Sequence, residues 1–83
     1  MSELRKLPNI GGVADDLLVR SGIDTIEKLM NIGSKEAFLK IRMQDPTACL
    51  HMLYGIEGAV QGIRDVDLSA ETKTDLKAFF RSL

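Results

Sequence analysis

An all-α fold, a compact bundle of about five helices, is predicted by three features of the sequence. No strand-like alternation of apolar and polar residues persists for more than a few positions. Apolar spacings of three and four recur from Leu4 to Leu83. Capping residues and breakers, in the order Ser2, Pro8, Gly11, Gly22, Thr25, Gly33, Ser34, Asp45, Pro46 and Ser69, cut the chain at helix-like intervals. With 83 residues, the chain has room for one hydrophobic core, so residues 1–83 are read as a single domain.

Ser2 caps a short first helix carrying Leu4 and Leu7, and Pro8 ends it by excluding helical geometry from the residue before it. Gly11 and Gly12 open the second helix. Its predicted apolar face is Ile10, Val13, Ala14, Leu17 and Leu18, which leaves Asp15, Asp16 and Arg20 toward solvent, and Ser21-Gly22 closes it. Thr25 caps a short third helix with Glu27 in its first turn and Ile26, Leu29 and Met30 pointing inward; Gly33 ends it. Ser34 then caps a fourth helix through Ala37, Phe38, Ile41 and Arg42.

Asp45-Pro46 has the form of an N-cap followed by proline at the first helical position, and predicts a long helix from Pro46 to about Arg64. At 100° per residue its Cys49, Leu50, Leu53, Ile56, Val60 and Ile63 share one side, which makes Cys49 a packed core thiol. The opposite side collects Ala48, His51, Gly55, Gly58 and Gly62. An interior glycine costs about 0.5–1 kcal/mol relative to alanine, so these glycines require a compensating contact. Two contacts would serve: a close helix crossing within the monomer, or a tight homodimer across Gly55, Gly58 and Gly62. Ser69 caps the last helix, whose core stripe is Leu76, Phe79, Phe80 and Leu83, with Lys73, Lys77 and Arg81 outside.

The charges are nearly balanced: 11 Lys and Arg against 12 Asp and Glu, net −1. That balance does not mark a dedicated polyanion binder, whose affinity comes mainly from neutralising phosphates. A single cysteine cannot form an intramolecular disulfide, and the first residues lack the apolar stretch of a signal peptide, which places the expected setting in the reducing cytoplasm. The longest uncharged run, Pro46 to Ile56, is too short to span a bilayer. No membrane association is expected.

Catalysis requires titratable groups that converge on a pocket, and a metal site requires clustered His, Cys or carboxylate ligands. Neither pattern is present, so no enzyme, metal or cofactor is expected. His51, Tyr54, Glu57 and Gln61 share one flank of the long helix. This flank is read as a solvated face, with a small polar site as its alternative, and Glu57 as a buried, hydrogen-bonded structural carboxylate with a partner such as a backbone amide or Arg64.

The segment Leu7-Pro8-Asn9-Ile10-Gly11-Gly12-Val13-Ala14-Asp15-Asp16-Leu17-Leu18, followed by Gly22-Ile23-Asp24-Thr25-Ile26, resembles the helix-hairpin-helix family. In that family a Gly-apolar-Gly turn joins two helices, and backbone N–H groups at the turn hold a DNA phosphate. The resemblance implies a phosphate site at Asn9, Ile10, Gly11, Gly12 and Val13, assisted by Arg5, Lys6 or Arg20; the preferred reading of the residues is a hairpin that only packs two short helices at an angle, its turn buried against the rest of the domain. Asn9 replaces the first glycine and accepts left-handed geometry. Val13, Ala14, Asp15 and Asp16 stand where DNA-binding hairpins offer cations, and carboxylates there oppose a phosphate.

A wider resemblance joins Leu4-Arg5-Lys6-Leu7-Pro8-Asn9-Ile10-Gly11, Gly22-Ile23-Asp24-Thr25, Glu36-Ala37-Phe38-Leu39 and Leu53-Tyr54-Gly55-Ile56-Glu57-Gly58-Ala59. In this order and spacing they resemble the C-terminal domain of the TfoX/Sxy family of bacterial competence regulators. The resemblance implies a helical bundle with a hairpin unit, a regulatory role in DNA uptake and no catalysis. The chain departs from full-length members in carrying no N-terminal α/β domain, and from many relatives in having no tryptophan between Arg64 and Leu68. The functional expectation is a regulatory or protein-interaction module with a protein partner; its alternative is sequence-independent DNA binding through the hairpin backbone.

Overall fold

A computed structural model describes residues 2–83. They form four α-helices, α1 (Gly12–Arg20), α2 (Ile26–Gln44), α3 (Leu50–Gln61) and α4 (Ala70–Arg81), with 3-10 turns at Glu3–Lys6 and Asp65–Asp67. The all-α expectation holds, and the count of about five becomes four. The predicted third and fourth helices are one bent element, α2, and the predicted first helix is only a 3-10 turn.

Gly33 supplies the bend. Its φ of 79° and ψ of 172° lie in a region that side chains exclude, so the chain changes direction there and Ser34 starts a new run of helical turns. Thr25 and Ser69 cap α2 and α4 as expected, accepting from the amides of Lys28 and Thr72.

The long helix is shorter than predicted. The Asp45 carboxylate accepts from the Thr47 amide at 3.1 Å and from its hydroxyl at 2.5 Å, so Asp45-Pro46 organises a turn, and α3 begins at Leu50 with Cys49 as N-cap. This overturns the expected role of Cys49, which is exposed, whereas Ala48 is buried. Arg42 Nη1 holds the turn by donating to the Ala48 carbonyl.

The core gathers the fully buried Leu4, Leu18, Leu29, Phe38, Ile41, Leu53, Ile56 and Leu76. Each such side chain contributes roughly 1.5–3 kcal/mol through removal of apolar surface from water. α3 is central: α2 packs along one side of it and α4 along another, while α1 rests on α2 and on the N-terminal 3-10 turn. Phe80 packs tilted on Phe38 with centroids 5.9 Å apart, beneath the Arg42 guanidinium. Gln44 Nε2 bonds the Leu17 carbonyl and Ser21 Oγ, tying the end of α2 to the end of α1.

Three inward assignments and one outward assignment are also corrected. Val13, Met30 and Leu83, expected to point inward, are exposed. Asp15, expected toward solvent, is buried at 5% exposure: the start of the chain folds back over α1, and the carboxylate accepts from the Ser2 amide at 3.1 Å and from the Ser2 hydroxyl. No helix among the described residues is long and apolar enough to cross a membrane.

Candidate functional site

The hairpin turn is built around Asn9, the one non-glycine residue with positive φ among the described residues, at 68°. Its side chain is fully engaged. Nδ2 donates to the Gly55 carbonyl at 3.2 Å and the Ile63 carbonyl at 3.0 Å, and Oδ1 accepts from the Asp65 amide at 3.2 Å. One carboxamide thus joins the hairpin turn, the middle of α3 and the segment that follows α3.

This contact requires glycine at position 58 and brings Asn9 into ordinary contact with position 55. A Cβ at Gly55 would touch Asn9 Cβ at 3.5 Å, and one at Gly58 would stand 2.5 Å from Asn9 Nδ2 and 2.8 Å from the Ile63 carbonyl. The close intramolecular approach is therefore present, made by the turn rather than by a second helix. Gly62 is different: it is the left-handed C-cap of α3, at φ 77° and ψ 26°.

With Asn9 held, the rest of the turn faces outward. Gly11, Gly12 and Val13 are exposed, and Gly11 caps α1 without a side-chain hydrogen bond. The first amides of a helix have no intrahelical partner, so those of Gly12, Val13 and Ala14 form the positive end of α1. Arg5 Nη1 lies 3.8 Å from the position a Gly12 Cβ would occupy. Lys6 is exposed. Arg20 is paired with Asp16 at 3.2 Å on the far end of α1, so it does not join Arg5 at the turn.

Asp15 points away from this surface, toward Ser2. The Ser2 hydroxyl, and then the Ser2 amide and the Arg5 charge, hold its carboxyl below the ordinary value against the opposing effect of burial.

Between the turn and the start of α3 lies a groove of about 490 Å³, with Ile10, Gly55 and Ile56 at its base and Val13, Cys49 and Met52 along its sides. His51, 82% exposed, reaches Asp65 Oδ2 at 3.5 Å on the rim. Cys49, like Gly11, caps its helix with no side-chain bond, so the first turns of α1 and α3 both line the groove. Cys49 is hidden from sequence reasoning by its place in the apolar stripe of the expected longer helix, and Met52 belongs to neither face assigned to that helix. No signal in the sequence set them apart.

The remaining flank residues divide. Glu57 is half-buried and accepts from Ser34 Oγ at 2.5 Å and Gln61 Nε2 at 2.6 Å, so the carboxylate is hydrogen-bonded as expected, through partners other than a backbone amide or Arg64. The Tyr54 hydroxyl donates to the Lys73 carbonyl at 3.4 Å, joining α3 to α4. A second cleft of about 500 Å³, beside Gly33, is lined by Ser34, Lys35, Glu57, Glu71 and Asp75, with Lys35 paired to Asp75 at 2.8 Å. Among the described residues no group of three or more His, Cys, Asp or Glu side chains is arranged to hold a metal ion.

Fold and site together define a small helical module with an exposed hairpin turn beside a largely apolar groove. The chain belongs to the TfoX C-terminal domain family, whose pattern it matches over residues 1–80. It is 29% identical over 80 residues to Protein Sxy of Escherichia coli (strain K12), a match that takes in 96% of this chain and 38% of that protein. The chain therefore spans well under half the length of this relative.

Two crystal structures of a Listeria monocytogenes protein, a triclinic form described as uncharacterized and a tetragonal form described as of unknown function, have the same fold. Each gives a TM-score of 0.94 at 48% identity. They cover 95% and 96% of this chain, and 90% and 98% of theirs.

Proposed function

We propose that the domain is a non-enzymatic regulatory module that works by contacting another protein, in the control of competence or transcription. Membership of the TfoX C-terminal domain family and similarity to Protein Sxy support the regulatory setting. The observation that carries the protein-contact reading is the groove, where Val13, at 69% exposure, stands beside exposed Cys49 over the buried Ile10 and Ile56. Such an opening suits an apolar side chain of a partner. The working setting is the bacterial cytoplasm. Affinity capture with the intact chain from its native host, compared with a Val13→Glu variant, tests this: partners recovered by the first and lost by the second support the reading, and no specific partner with either overturns it.

A second reading, sequence-independent DNA binding, is favoured by one observation. The Gly12 to Ala14 amides are open beside Arg5, and Asp15, the nearer of the two carboxylates that oppose phosphate in the sequence, is turned inward. Binding of this kind weakens steeply with salt and is reduced by Arg5→Ala or Lys6→Ala. Absence of duplex and single-strand binding at about 50 mM salt excludes it.

A further inference from the structure

The groove between the hairpin turn and α3 carries a more specific assignment, which rests on the protein-contact reading above. We infer that it receives a short partner segment in which one apolar side chain (Leu, Phe or Met) is flanked by carboxylates.

The apolar half of this specificity comes from the base and sides of the groove. Ile10 and Ile56 are 6% and 1% exposed, so they offer a dry base that is already packed and needs no rearrangement to accept a methyl group or a ring edge. Val13 and Met52 stand on opposite sides, one from each helix, and Gly55 contributes no side chain to fill the space between them. A volume near 490 Å³ accommodates one large side chain and the backbone that carries it.

The acidic half comes from charge complementarity around that base. α1 and α3 both begin at the groove, both lack a side-chain cap, and both therefore direct partial positive charge toward its edges. The Arg5 guanidinium adds a full positive charge at Gly12. The negative groups nearby are occupied: Asp15 by Ser2, and Asp16 by Arg20. Asp65, the one carboxylate on the rim, is 22% exposed and faces His51.

A phosphate chain is the less favoured occupant of the same place. Phosphates would use the helix ends and Arg5 but leave Val13, Met52 and the isoleucine base in water, whereas an acidic-apolar peptide uses both. The rim carboxylate also weighs more against a continuous polyanion than against a single short segment.

The test uses the intact 15N-labelled chain and pooled acetylated hexapeptides bearing Leu, Phe or Met between Asp or Glu residues. Control pools carry Ala in place of the apolar residue, or Lys in place of the acids. The expected result is saturable shifts confined to the amides of Gly11 to Ala14 and Leu50 to Met52. Ala in the probe weakens binding roughly tenfold or more, the loss of one buried apolar side chain. Val13→Glu, at a surface position in the first turn of α1 where an acid is compatible with folding, weakens it roughly fivefold through like charge.

Absence of shifts at millimolar peptide, or equal shifts with the Ala or Lys pools, overturns the assignment. So does a DNA duplex that moves these amides at low salt when the acidic-apolar pool does not. If affinity capture recovers a partner whose binding survives Val13→Glu, the groove assignment falls while the interaction module stands; if no partner is captured, the broader reading falls.

Discussion

Asn9 and Gly58 fit together so closely that a single added methyl group would collide with the carboxamide: a Cβ at Gly58 would lie 2.5 Å from Asn9 Nδ2. The same methyl group at Gly55 would meet Asn9 Cβ at 3.5 Å, an ordinary contact. Two glycines three residues apart on one helix therefore have opposite tolerance. Gly58→Ala is expected to destabilise the domain by about 1–3 kcal/mol, because Asn9 and the Ile63 carbonyl are fixed by each other and cannot both retreat. Gly55→Ala is expected to be neutral or to stabilise by up to about 1 kcal/mol through helix propensity. Urea unfolding of the two variants separates these outcomes; equal effects would mean that the carboxamide does not hold the turn against α3.

Asn9 serves two needs that no other residue meets together. Its backbone is left-handed, which glycine tolerates equally well, and its side chain makes three hydrogen bonds to backbone groups far away in sequence. Asn9→Gly keeps the first property and removes the second, so the loss reports the hydrogen bonds alone. About 1–3 kcal/mol is expected. Asn9→Asp should cost at least as much, since a carboxylate would face the Gly55 and Ile63 carbonyls with nothing to donate. Chemical denaturation of both variants provides the check.

Asp15 gives the domain an acid-sensitive fastening at its N-terminus. Hydrogen bonding from Ser2 lowers its folded-state value below the ordinary 3.8. The carboxylate therefore contributes stability that is fully present above that ordinary value and is lost as pH falls through the lower, folded-state value. Asp15→Asn should be less stable than the unaltered chain near neutrality, and the gap should close in strongly acidic solution. Thermal unfolding of both chains across pH 2 to 7 shows whether it does; a gap independent of pH would dissociate Asp15 from the fastening.

The sequence was most legible where structure is set by neighbours along the chain. Thr25 and Ser69 are the caps they resemble, the apolar stripes of α2 and α4 supply Phe38 and Leu76 to the core, and Asn9 takes the left-handed geometry expected of it. It was least legible where a residue answers to a distant partner. Asp15 sits where helical spacing directs it to solvent, and only Ser2, folding back from thirteen residues away, buries it. Asp45-Pro46 misled for a different reason: an aspartate that binds the amide two residues on is making a turn with the same local chemistry that begins a helix. That four-residue delay in the start of α3 moved Cys49 from the core stripe to the edge of the groove. The candidate site thus could be seen only in part, its turn residues from the hairpin resemblance and its α3 side only through His51 and Gly55.

Gly33 and Gly62 both have positive φ, yet their surroundings predict different tolerance. Gly62, at ψ 26°, is in the left-handed helical region that asparagine also visits, and nothing lies within 4 Å of its would-be Cβ. Gly33, at φ 79° and ψ 172°, is in a region that is essentially restricted to glycine, although it too has open space around it. Gly62→Asn is therefore expected to cost little, while Gly33→Asn and Gly33→Ala should each cost about 1–3 kcal/mol from backbone strain alone. For a domain of this size that corresponds to a fall in Tm of very roughly 4–20 °C. Because the bend at Gly33 aims the second half of α2 at Phe80 and at the Ser34 to Glu57 hydrogen bond, the strained variants should also loosen α4. Amide exchange in Ala70–Arg81 would then quicken in both Gly33 variants and stay unchanged in Gly62→Asn, and uniform exchange across all three would show that the bend does not govern how α4 is seated.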